Sequence, residues 1–161
     1  MTTKQKNSIR VGKYVNTGHV DAVIREYKRT RWVPNSERIG KPDSLSAWLS
    51  TEDLEDFLAA TKKYGGDGIK FYFSAYPADY APNPEYAGRQ TITLVATRSK
   101  NTGMGTVANK DIYITKHGQS TVLGFNNLAI CPPICNSSSE GGMGDLGITI
   151  LDKGANGMEI A

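Results

Sequence analysis

Leu49-Ser50-Thr51-Glu52-Asp53-Leu54-Glu55-Asp56-Phe57-Leu58-Ala59-Ala60-Thr61-Lys62-Lys63-Tyr64-Gly65-Gly66-Asp67-Gly68-Ile69-Lys70-Phe71-Tyr72-Phe73-Ser74 is the stretch on which the fold turns. Ser50 is an N-cap residue with an acid three positions on, close to a capping box, and Leu49 and Leu54 are spaced as a hydrophobic staple. Leu54, Phe57, Leu58 and Thr61 form one stripe of a helix, acids crowd its first turns, and Lys62 and Lys63 close its last, each set suiting the helix dipole. Gly65 can take the left-handed conformation that ends such a helix. The period then changes from 3.6 to 2. Ile69, Phe71 and Phe73 alternate with Lys70, Tyr72 and Ser74, which predicts a strand with the first set in the core.

Outward toward the N-terminus, Val20, Val23, Ile24 and Tyr27 recur at helical spacing behind Asn16 or Thr17 as N-cap, opposite Asp21, Arg25, Glu26, Lys28 and Arg29. This amphipathic helix is expected to end before Pro34, with Trp32 capping the core, and residues 33–46 read as a connecting loop. Residues 1–14 read as a flexible arm or a short leading strand at Ile9-Arg10-Val11.

Outward toward the C-terminus, a Pro- and Tyr-rich loop (76–86) precedes a β-branched strand over 90–98, too close to 69–76 for a helical crossover and therefore antiparallel to it. Further strands are expected over 111–116, 121–125 and 147–151. Together these elements predict an α+β fold: two N-terminal helices on one face of a mainly antiparallel sheet of four to five strands, in a single domain over residues 15–161.

The bulk numbers fit this reading. A chain of 161 residues with 39% apolar and 22% charged residues can bury a core without disulfide staples. No apolar run reaches the roughly 18 residues of a membrane helix, and the first residues lack the apolar core of a secretory signal, so a soluble protein resident in the cytoplasm and independent of membranes is expected. The net charge of +3 is unevenly spread: residues 1–50 hold ten Lys or Arg against four acids, and the remainder nine against twelve. Such polarity suits a polyanion partner or head-to-tail contact between copies of the chain.

Motifs for chemistry are sparse. Gly142-Met143-Gly144-Asp145-Leu146-Gly147 spells G-x-G-x-x-G, but it precedes an expected strand rather than a helix, so no nucleotide cofactor is inferred. Cys131-Pro132-Pro133-Ile134-Cys135 admits three readings: a metal site completed by His19 and His117, a local disulfide, or two packed thiols in a Pro-stiffened turn. The packed thiols fit best, because zinc knuckles and redox pairs commonly use two intervening residues rather than three. His19 falls in the first turn of a helix and His117 before Gly118 in a turn, so neither has the setting of a general base.

Arg25, Lys28, Arg29, Arg31 and Trp32 could hold nucleic acid, with cations on phosphate and an aromatic ring on a base. Tyr72, Tyr76, Tyr80 and Tyr86 suit either an interaction surface or packing over a sheet edge. With no catalytic constellation, the expectation is a non-enzymatic interaction or structural module that associates with itself. Nucleic-acid binding through the first helix is the alternative, and a metal- or thiol-dependent enzyme on Cys131 and Cys135 the second.

Overall fold

The helix at the centre of the sequence forms as its caps dictate. In the structure, a computed structural model describing residues 10–104, 107–135, 150–152 and 158–160, the Ser50 hydroxyl accepts the Asp53 amide at 3.0 Å. The helix ends with Gly65 at φ +75°. In chain order the elements are α1 (Thr17–Tyr27), a π-helical turn (Lys28–Trp32), α2 (Val33–Ile39), β1 (Ser46–Trp48), α3 (Thr51–Lys63), β2 (Gly68–Ala75), β3 (Gln90–Asn101) and β4 (Val107–Asp111). They continue with β5 (Tyr113–Lys116), β6 (Gln119–Val122), β7 (Gly124–Phe125), β8 (Ala129–Cys131), β9 (Ile150–Asp152) and β10 (Met158–Ile160). Helices with antiparallel sheets make this an α+β protein. Among the described residues no helix is long and apolar enough to cross a membrane.

Packing divides the chain into two compact units interleaved in sequence. The first holds Leu49–Ser74 and Ile92–Leu128. Its sheet runs β2-β3-β4, with β7 also paired to β3. Asp67 N–H donates to Thr97 O just before β2, and Tyr76 N–H to Arg89 O just after it, so β2 and β3 run antiparallel as expected. Leu94 and Ala96 of β3 are wholly buried, and the Phe57 ring of α3 lies 5.7 Å from that of Phe125 in β7. Backbone bonds from Ala96 N to Leu123 O, Ile112 N to Ala96 O and Leu123 N to Ile112 O tie the β5–β6 hairpin to β3.

The second unit holds Lys13–Trp48, Ala75–Thr91 and the chain from Ala129 onward. Its described core is Tyr76, Tyr86 and Ile130, with Ala47 and Tyr80 packed against it. β1 pairs antiparallel with β8, Ala47 opposite Ile130. A buried carboxylate organises the rest: Asp43, 2% exposed, accepts the amides of Ser44 (2.7 Å) and Gln90 (2.6 Å), while its own carbonyl accepts the Trp32 indole N–H at 2.7 Å. Arg89, also buried, donates to the carbonyls of Pro42 and Glu85. Burial lowers the Arg89 pKa, opposed by the fields of Asp43 and Glu85. Burial and the Asp43 charge raise that of Tyr27, whose hydroxyl donates to Gln90 Oε1.

Four expectations are corrected. The first helix does not stop before Pro34 but runs through it to Ile39, so the loop is shorter than 33–46. The π turn makes this possible: Val33 N–H reaches back to Lys28 O, and the Thr30 carbonyl accepts the Arg31 guanidinium at 3.1 Å, so Pro34 enters a first turn where its missing amide is tolerated. Gly40, φ +70°, then ends α2. Secondly, Val23 is exposed and α1 buries no residue fully, while Leu58 leaves the buried stripe of α3.

Thirdly, Phe71 and Phe73 are not core residues but are 55% and 84% exposed, because β2 pairs only with β3 among the described residues and lies at the sheet edge. Fourthly, one sheet of four to five strands is replaced, among the described residues, by a four-stranded sheet and three two-stranded ones. The strand expected over 111–116 breaks at Ile112 and that over 121–125 at Leu123, where the backbone turns to meet β3. Of the leading strand at 9–11, Ile9 lies outside the described residues and Arg10 and Val11 form no strand. The remainder of the arm up to residue 9, the G-x-G-x-x-G segment and residues 147–149 of the last expected strand also lie outside them.

Gly66 marks the tightest approach in the first unit. A Cβ there would meet Thr61 Cγ2 at 2.5 Å and Ile112 Cδ1 at 2.9 Å. Gly66→Ala is therefore expected to destabilise the protein by about 1–3 kcal/mol through overpacking, read as a lower urea midpoint with an unchanged slope.

Candidate functional site

The basic helical stretch is largely occupied with itself. Arg25 pairs with Asp21 at 2.8 Å and Arg29 with Glu26 at 2.7 Å, both at helical spacing. Lys28 is only 5% exposed, its ammonium 5.3 Å from the centre of the Trp32 ring. Trp32 is half-buried and committed to Asp43, which leaves it poorly placed as a stacking platform. Of the five residues, Arg31 and the two paired arginines face solvent. A periodicity-based reading sees these cations but not the acids that neutralise them one turn away.

The cysteines are joined. Cys131 and Cys135 form a disulfide, which replaces both the packed-thiol and the metal-ligand readings, since bonded sulfur offers no thiolate. Leu45 N–H donates to Cys131 O and the Ser44 hydroxyl to Pro132 O, so the bridged turn is fastened to the segment that follows Asp43. His19 is exposed in the first turn of α1, its amide accepted by Asn16 Oδ1. His117 is exposed in a turn at φ +49°. Among the described residues no three of His, Cys, Asp and Glu gather in a way that could hold a metal ion.

The tyrosines separate into two groups. Tyr76 and Tyr86 are buried, 8% and 4% exposed, with ring centres 5.3 Å apart, and Tyr80 lies 4.5 Å from Tyr76. These three are core. Tyr72 alone faces outward, 42% exposed on β2.

It is around Tyr72 that the exposed chemistry collects. The Lys70 ammonium lies 2.6 Å from Asp111 Oδ1, and the Tyr72 hydroxyl donates to Asp111 Oδ2 at 3.1 Å, so β2 is latched to the end of β4. The hydrogen bond from Lys70, aided by that from Tyr72, lowers the Asp111 pKa; the same bond raises that of Lys70. The opposite side of β2 carries Phe71 and Phe73 in the open. This edge strand thus has one polar latched side and one side with bare aromatic surface. Alternation alone assigned these phenylalanines to the core. The consecutive aromatics Phe71-Tyr72-Phe73, which put aromatic side chains on both faces, were the local hint of an edge role; the Lys70–Asp111 pair spans 41 residues and has no local signal.

Comparison with known proteins finds no matching family, no matching curated protein and no matching solved structure.

Two outcomes are expected. Because the folded Asp111 pKa lies below its unfolded value, the latch stabilises the protein above the ordinary aspartate pKa of 3.8 and is lost as pH falls through the folded value. Asp111→Asn should therefore lower the urea midpoint at neutral pH, with the difference from the parent protein closing in acid. In denaturant without reductant, neither Cys131 nor Cys135 should take up iodoacetamide; after reduction the intact mass should show two adducts.

Proposed function

We propose that this chain is a non-enzymatic interaction module that associates with a second copy of itself through the edge of β2. The observation that carries the reading is the exposure of Phe73 (84%) and Phe71 (55%) on a strand with one free edge among the described residues. Unpaired edge N–H and C=O groups invite another strand, and proteins that remain monomeric usually blunt such edges with charge or proline. β2 does neither on its aromatic side, since its one charge, Lys70, points the other way to Asp111.

A second copy fits the strand's own pattern. Antiparallel pairing centred on Tyr72 would set Phe71 against Phe73 twice on one face, Tyr72 against Tyr72 on the other, and Lys70 against Ser74 with no like-charge encounter. At about 150–250 Å² for each covered aromatic side chain, the exposed parts of Phe71, Tyr72 and Phe73 amount to roughly 350 Å² per copy. That is below the ~800 Å² per partner of a standard interface, so association should be reversible and concentration-dependent.

The Cys131–Cys135 disulfide favours an oxidising compartment over the cytoplasmic residence expected from the sequence, because cytosolic thiols are kept reduced.

Light scattering coupled to size exclusion, from micromolar to millimolar protein, tests the reading. The parent should move from monomer toward dimer. Phe73→Lys should weaken that association about tenfold or more, with stability changed by less than about 0.5 kcal/mol because the side chain is already in solvent. A monomer at every concentration, or a dimer indifferent to Phe73→Lys, would overturn it.

A further inference from the structure

A second feature of the first unit is independent of the β2 edge. The β3–β4 hairpin sets Arg98 directly opposite Lys110 and Lys100 opposite Ala108. Residues opposite one another, and those two apart along a strand, share a face. Three cations therefore project from one side of the hairpin. Like charges placed opposite across a sheet repel, so this arrangement carries a cost that a bound anion would relieve.

The charges have few protein partners. Arg98 gives Nε to Gly65 O and Nη2 to Tyr64 O, which anchors it over the C-terminus of α3 and leaves Nη1 without a partner among the described residues. Lys100 and Lys110 are exposed, and their ammonium groups make no hydrogen bond or ion pair among the described residues. Two acids lie near these cations: Asp67, whose carboxylate accepts the Ser99 amide at 2.9 Å, and Asp111, which feels the Lys110 charge but whose carboxylate is turned to Lys70 and Tyr72 and is neutralised there.

Arg98, Lys100 and Lys110 line a cleft of about 460 Å³ together with Ser99, Asp111, Ile112 and Tyr113. That volume is in the range of small-ligand sites, roughly 300–1,000 Å³. Tyr113, 66% exposed at the cleft, offers a flat ring for stacking. Cations for phosphate beside an exposed aromatic ring is the combination that holds nucleotides and single-stranded nucleic acid.

We infer that the cleft between Arg98, Lys100, Lys110 and Tyr113 binds a nucleotide unit, phosphates on the three cations and base against Tyr113. The unit comes either as a free nucleotide or as part of a single strand. Cations from the acid-rich part of the chain, rather than the basic N-terminal helix, supply this site, which is why net charge by segment did not point to it.

Calorimetric titration of the full chain at low salt tests the inference with three probes: ATP, inorganic triphosphate and an oligothymidylate. Lys100→Ala combined with Lys110→Ala should weaken ATP binding about tenfold or more, with an unchanged melting temperature, whereas the corresponding double arginine variant should bind as the parent does. Tyr113→Ala should weaken ATP about tenfold and leave triphosphate unaffected. Oligothymidylate binding tighter than ATP, with a salt slope that falls by roughly 1.4 in the double alanine variant, would identify a strand as the source; equal affinity would identify the free nucleotide. No binding of any probe, or ATP affinity unchanged by the double alanine variant, would overturn the site; equal effects of Tyr113→Ala on ATP and triphosphate would overturn the stacking role.

Discussion

The first unit depends on the burial of β3. From Leu94 to Thr97 every residue is buried, so both faces of this part of the strand are covered and its peptide groups there cannot turn to water. Buried amides and carbonyls must be paired, and this one strand recruits β2 on one side and β4, β7 and the Ile112–Leu123 backbone on the other. The breaks at Ile112 and Leu123, which divide what sequence pattern reads as longer strands, are the points where two chain segments bend to satisfy Ala96. Among the described residues β2 is left outermost, paired on one edge only, with Phe71 and Phe73 exposed.

In the second unit a single carboxylate plays the comparable part. Asp43 joins the end of the Pro42 turn, the start of β3 at Gln90 and, through its carbonyl, the indole of Trp32. A carboxylate at 2% exposure that accepts two short amide bonds has the partners a buried charge needs. Arg89 stands in a similar position, its Nε and Nη1 committed to backbone carbonyls. Among the described residues, these buried polar groups hold loops in register.

That distribution gives the functional readings their form. Contact through β2 needs bare aromatic surface and free backbone groups; anion capture by the β3–β4 hairpin needs cations that the protein itself has not neutralised. The N-terminal helix, richer in cations by count, meets that second need less well, because Asp21 and Glu26 sit one turn from Arg25 and Arg29 and Lys28 is drawn beneath Trp32.

What the sequence determined by itself is local. The Ser50 cap, the left-handed Gly65, the Asn16 cap of α1 and the identity of β3 as a strand each rest on residues within a few positions of one another, where capping, backbone preference and β-branching act whatever the rest of the chain does. Tertiary structure alone decided that β2 is an edge, that Lys70 meets Asp111, that Trp32 is held by Asp43 and that a helix passes through Pro34. Period-2 alternation states that a strand has two faces but not which neighbours cover them. Partners separated by tens of residues leave no trace in spacing, because they are set by which backbone groups remain to be paired once the buried strand has taken its share.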